Sequence, residues 1–140
     1  MSEPRMPRVL VVDDEERVRG LLCDLLAAWG CQAVEATDGA QALTLFEAGD
    51  YDLVLTDYLM PGRTGLELIR GVRDRDATIG VIMLTASAAD LEPDSRRLEF
   101  TLLRKPLQLD GLKTAVGEAL HRRSRGTGST TFRAPAIPAT

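Results

Sequence analysis

Val9-Leu10-Val11-Val12-Asp13-Asp14-Glu15-Glu16 is the stretch that decides the fold. Four apolar residues, rich in β-branched side chains, run without a break and stop on four acids. A short continuous apolar run of this kind reads as a strand buried on both faces. The next residues change period. Val18, Leu21, Leu22, Leu25 and Trp29 fall at steps of three, one, three and four, which is one face of a helix, and Gly30 ends it.

The same unit recurs along the chain. Gln32–Ala36 reads as a weaker second strand. Asp38-Gly39 turns the chain into a helix marked by Ala42, Leu43 and Phe46, and Gly49-Asp50 stops it. Leu53–Thr56 is a third strand ending at Asp57, and a Met60-Pro61-Gly62 turn leads to a helix carrying Leu66, Ile69 and Val72. Val81–Leu84 is a fourth strand ending at Thr85, and Phe100–Leu103 a fifth ending at Lys105-Pro106. Leu109, Leu112, Val116 and Leu120 mark the last helix, with His121 at its end as a cation favourable to the dipole. Five apolar strands alternating with helices predict an α/β protein: a parallel sheet covered on both faces by right-handed crossovers, hence three layers. Residues 1–7 read as an N-terminal extension, residues 8–121 as one domain, and residues 122–140 as a disordered tail of Gly, Ser, Thr, Pro and Ala without periodicity.

Composition narrows the function. The chain has 140 residues and a formal net charge of −4, but Arg122, Arg123, Arg125 and Arg133 sit in the tail, leaving the first 121 residues with 13 basic groups against 21 acidic, or −8. An acidic body argues against direct DNA binding, which needs concentrated Lys and Arg. One His cannot build a multi-histidine metal site. Cys23 and Cys31 form no CxxC pair and read as small hydrophobes. No apolar run approaches the ~20 residues of a membrane span, and the N-terminus lacks a signal peptide's apolar core. The expectation is a soluble, cytoplasmic protein with no membrane partner.

In an open parallel sheet, ligands bind beyond the carboxyl ends of the strands. Strand one delivers Asp13 and Asp14 there, strand three Asp57, strand four Thr85, and strand five Lys105 followed by Pro106. Three carboxylates gathered without compensation suit a hard cation, and Mg2+ takes one or two carboxylates together with phosphoryl oxygens. One carboxylate is then free to attack phosphorus, while Lys105, Thr85 and the backbone N–H groups after it meet the phosphoryl charge. Ala86 is small enough to let a phosphoryl oxygen approach. Each residue taken singly has a plainer reading: Asp13–Glu16 as acids at a helix N-terminus, Asp57 as a turn residue, Lys105 as a surface lysine.

Val-Val-Asp13-Asp14-Glu, Asp57-Tyr-Leu-Met-Pro61-Gly, Thr85-Ala86 and Lys105-Pro106, in that order and each at a strand end, resemble the receiver domain of bacterial two-component response regulators, of hybrid-kinase or stand-alone type. The resemblance implies a flavodoxin-like sandwich with strand order 2-1-3-4-5 and five helices. It implies Asp57 as phospho-acceptor from a histidine kinase or phosphotransfer protein. Asp13, Asp14, Asp57 and the backbone carbonyl of Leu59 would hold Mg2+. Thr85 would bind the phosphoryl group and swing toward it, with Ala86 and Lys105 beside it, and Pro106 would shape the loop, often through a cis bond. Partner specificity would lie mainly on helix one, where Arg17, Arg19 and Asp24 are surface candidates.

Two departures stand out. The switch position three residues before Lys105, usually Tyr or Phe, is Leu102, and the nearest aromatic is Phe100 on the same strand face. Between Thr85 and Phe100, Glu92 precedes Pro93, so a fourth helix is expected to start at Pro93 and be short or irregular. A remodelled surface there predicts a monomer or weak dimer. The rival readings are a receiver-like scaffold that never uses phosphate and a Mg2+-dependent aspartyl-phosphate phosphohydrolase. The second would need an Asp where Leu59 stands. A dinucleotide site fails because no GxGxxG follows strand one.

Overall fold

The computed structural model describes residues 6–60, 62 and 64–127. Residues 1–5, Pro61, Arg63 and the stretch 128–140 lie outside the described residues, and so does most of the tail predicted from sequence. The elements run β1 (Arg8–Val12), α1 (Glu16–Ala28), β2 (Gln32–Ala36), α2 (Gly39–Ala48), β3 (Leu53–Asp57), α3 (Gly65–Arg75), β4 (Gly80–Thr85), α4 (Glu92–Leu98), β5 (Thr101–Arg104) and α5 (Leu109–Thr127). All neighbouring strands pair in parallel, in the order β2-β1-β3-β4-β5. This is the five-stranded flavodoxin-like sandwich the sequence predicts.

The alternation of side chains along each strand divides the core in two. Val9, Val11, Leu53, Leu55, Ile82 and Leu84 pack on one side with Leu22 and Leu26 of α1 and Leu112, Val116 and Leu120 of α5. Leu10, Val12, Val54, Val81 and Met83 pack on the other with Phe46 of α2 and Leu68, Ile69 and Val72 of α3. Both faces of the central strands are thus consumed, which is why those strands read as continuous apolar runs.

Local chemistry sets the helix starts. Asp38 caps α2 through a hydrogen bond accepted from the Gln41 N–H at 2.8 Å, so it is a cap as well as a turn residue. Thr64 and Glu67 form a capping box at the start of α3. Gly30 adopts φ 85° after α1, a conformation that favours glycine.

Four expectations need correction. In α1 the inward face carries Leu22 and Leu26, whereas Leu21 is 56% exposed. The run Leu21-Leu22-Cys23-Asp24-Leu25-Leu26 offers two overlapping helical stripes, and packing selects the one rotated toward Leu26. Helix α4 begins at Glu92, one residue before Pro93, which occupies the first turn, and it spans seven residues as a short helix. Helix α5 continues past 121 to Thr127, so the boundary at Arg122 falls within the helix, and exposed His121 sits inside it rather than at its end. Arginine is a strong helix former and suits a helix C-terminus, which the tail's composition hid. Among the described residues no helix is long and apolar enough to cross a membrane.

Candidate functional site

Parallel pairing puts every strand's carboxyl end on one edge, and the predicted residues meet there. Asp57, the last residue of β3, pairs in register with Leu84, one residue before Thr85. Thr85 pairs with Arg104, and Lys105 follows, its N–H donating to the Thr85 carbonyl at 2.8 Å. Asp13 lies one residue past β1, its N–H held by the Ala36 carbonyl at 3.2 Å. Asp13, Asp14 and Asp57 each present a carboxylate oxygen, and these lie within 4.8 Å of one another. Lys105 Nζ stands 3.1 Å from Asp57 Oδ1.

Asp13 is fully buried, and its two oxygens have different surroundings. Oδ1 accepts from the Glu15 N–H at 2.9 Å, at the entry to α1. Oδ2 is buried and has no hydrogen-bond partner among the described residues. One oxygen of the side chain thus serves the helix entry, and the other is left without a partner. Burial raises the Asp13 pKa most, and the charges of Asp57 and Asp14 raise it further; the Glu15 N–H and Lys105 pull it down. An uncompensated oxygen facing two further carboxylates is a donor set for a divalent cation with oxygen preference, and Mg2+ fits it. Asp14 is exposed and Asp57 half-buried, so the pocket opens to solvent.

Thr85 is buried, and its hydroxyl oxygen accepts from the Ser87 N–H at 2.9 Å. Ala86 is exposed beside it. The Lys105–Pro106 peptide bond is cis. Leu59, two residues past Asp57, points its side chain outward at 61% exposure. Leu102 packs against the core that contains buried Phe100.

Three residues that shape the site escaped the sequence reading. Gly65 opens α3 so close to β3 that a Cβ there would lie 2.5 Å from the Asp57 carbonyl oxygen, while its N–H donates to the Tyr58 carbonyl at 2.7 Å. Arg19 is not a free surface residue: Nη1 donates to the Asp13 carbonyl at 2.9 Å and Nε to Glu35 at 2.8 Å. Thr56 donates through its hydroxyl to the Asp57 carbonyl at 2.9 Å. A Gly directly after a capping Thr was the only signal for the first. Nothing in the sequence marked the other two.

Known proteins resemble this chain along most of its length. The family model of the response regulator receiver domain matches residues 9–117. Sporulation initiation phosphotransferase F of Bacillus subtilis is 34% identical over 119 residues, covering 84% of this chain and 96% of that protein. Sensor histidine kinase RcsC of Salmonella typhi is 39% identical over 111 residues, 77% of this chain and 12% of that protein. Among solved structures, the response regulator protein TrrA of Thermotoga maritima, in complex with Mg(2+)-BeF, superposes with TM-score 0.75 at 37% identity, covering 82% of this chain and 100% of that one.

Proposed function

We propose that this chain, which belongs to the response regulator receiver family, is a phosphorylation-dependent switch that takes a phosphoryl group onto Asp57 from the phosphohistidine of a histidine kinase or phosphotransfer protein. The switching unit runs from β1 through α5. The observation that carries the reading is the gathering of the Asp13, Asp14 and Asp57 carboxylates, with one Asp13 oxygen, Oδ2, left without a partner and Lys105 on Asp57.

Asp13, Asp14, Asp57 and the Leu59 carbonyl would hold Mg2+. Bound there, the ion neutralises the carboxylates and withdraws charge from the phosphoryl oxygens. Asp57 supplies the nucleophilic oxygen: its O–P bond forms as the donor's N–P bond breaks, and the departing imidazole takes a proton from solvent. Lys105 Nζ, already on Asp57, meets the phosphoryl charge as a compact ammonium, a point contact for which the planar guanidinium of Arg is poorly shaped. The Thr85 hydroxyl turns to donate to a phosphoryl oxygen, and Ala86 leaves room for it. The resulting shift passes to the segment between β4 and β5, where a downstream protein reads it. The short α4 supports a monomer or weak dimer, and a cytoplasmic location suits a partner kinase's phosphohistidine.

Incubation with Mg2+ and a small phosphoramidate or acyl phosphate, followed by peptide mass mapping, tests the reading. A lasting Mg2+-dependent adduct on Asp57, absent in Asp57→Asn, is expected. Phosphate release in multiple turnovers with no adduct would instead favour a phosphohydrolase, and no reaction would leave a scaffold.

A further inference from the structure

The segment between β4 and β5 is held to the domain at a few separate points. Helix α4 buries none of its own residues. Its C-terminal end is fixed by Arg73 of α3, which donates to the carbonyls of Leu98 and Glu99, each at 2.8 Å, and to that of Ile79 at 2.7 Å. Phe100, buried just beyond, fixes the chain again. Its N-terminal end is fixed by Leu91, buried at 2% directly ahead of the helix. Before Leu91 the chain is open: Ala86, Ala88, Ala89 and Asp90 are exposed, and Ser87 is half-buried.

Two bonds hold the Ser87 backbone. Its N–H donates to Thr85 Oγ1 at 2.9 Å, and its carbonyl accepts from Arg104 Nη1 at 3.1 Å. Arg104 pairs with Thr85 across the sheet and directly precedes Lys105. It shares a strand face with Leu102, two residues nearer the acid pocket. The Thr85 hydroxyl oxygen therefore accepts from the Ser87 amide while its O–H remains a donor. Swinging the Thr85 side chain toward a phosphoryl group on Asp57 would carry that oxygen away from the amide unless the Ser87 segment follows, and the Arg104 bond to the Ser87 carbonyl opposes that movement.

We propose that Arg104 is the positioning residue of the switch in this chain: its hydrogen bond to the Ser87 carbonyl holds the Thr85 loop in the unphosphorylated arrangement, coupling β5 to β4 where Leu102 offers no aromatic to do so. The inference rests on the phospho-acceptor reading of Asp57. Arg104 acts through Ser87 and Thr85. Its contact is exposed and competes with water, so its weight is that of a single hydrogen bond, a factor of about three to ten in the equilibrium between the two loop arrangements.

The test uses the full chain, beryllofluoride with Mg2+ as the phosphoryl probe, and the variants Arg104→Met and Arg104→Lys. Arg104→Met is expected to bind beryllofluoride about three- to tenfold more tightly than wild type, with Arg104→Lys in between because it keeps a donor. Affinity for Mg2+ alone is expected to stay unchanged in all three proteins. In ligand-free Arg104→Met, the Ser87 amide resonance is expected to move toward its position in beryllofluoride-bound wild type, a change that mere loss of stability would not produce. Unchanged or weaker beryllofluoride binding by Arg104→Met, with an unmoved Ser87 resonance, overturns the coupling alone. Wild type that takes no beryllofluoride overturns the phospho-acceptor reading and the coupling with it.

Discussion

Asp13 and Asp52 are both buried aspartates at 1% exposure, one just after β1 and the other just before β3, at opposite ends of the same strand pair. Asp52 accepts from the Arg8 N–H at 2.8 Å. Around it, Arg8 donates to the Asp50 carbonyl at 3.0 Å and stacks 4.7 Å from the Tyr51 ring centroid, and Arg75 pairs with Glu47. Asp13 has one oxygen satisfied and one orphaned, with two further carboxylates beside it. At the amino edge of the sheet, charge is matched by partners from the chain itself. At the carboxyl edge it is left in excess. A buried carboxylate that the fold satisfies serves stability, and one that the fold leaves unsatisfied awaits a ligand.

Substitutions at the two edges can break that contrast. The largest expected effect is at Gly65. A methyl group there meets the Asp57 carbonyl, a backbone atom that no rotamer change can move aside. Gly65→Ala should cost about 3 kcal/mol and reduce adduct formation on Asp57. Gly20→Ala in α1, where nothing lies within 4 Å of the new Cβ, should instead stabilise, and chemical denaturation separates the two. Next comes Asp52→Ala, which strands the Arg8 N–H and should cost about 2 kcal/mol without touching phosphoryl acceptance. Asp13→Asn should do the opposite on both counts. In metal-free buffer it relieves repulsion and raises the unfolding midpoint, by less than Asp52→Ala lowers it, while Mg2+ binding is lost. Equal destabilisation by the two aspartate variants would erase the distinction between the edges.

The smallest effect concerns Cys31, at the amino edge. Burial first, and then the Asp52 charge, push its thiol from 9.0 up to about 11. The thiolate is the reactive form. Alkylation at pH 8 should therefore run about a hundredfold slower than for an unperturbed thiol, and it should speed up as pH rises toward that value. Rapid alkylation of the folded protein would mean that this edge is open to water.

Much of this was legible in the sequence because it rested on two strong regularities. Apolar runs ending on Asp13, Asp57, Thr85 and Lys105 reflect strands buried on both faces, with their carboxyl ends gathered by parallel pairing. What stayed hidden depended on distances between segments far apart in the chain. The choice between Leu21 and Leu26 turns on a rotation of α1 that the apolar spacing permits either way. Arg19 reads as surface charge, yet its guanidinium reaches the Asp13 carbonyl. Arg73 and Arg104 were invisible as anchors because backbone carbonyls, their acceptors, exist at every residue. Gly65 shows its constraint only when α3 is laid against β3.

The central claim is that the excess carboxylate charge at the carboxyl edge is a cation and phosphoryl site. Thermal unfolding measured across a Mg2+ titration at neutral pH tests it most directly, with wild type, Asp13→Asn and Asp57→Asn side by side. Wild-type stability should climb by about 1.4 kcal/mol for each tenfold rise in Mg2+ above its dissociation constant, and both variants should respond far more weakly. A flat wild-type curve, or variants that climb in step with wild type, would contradict the account.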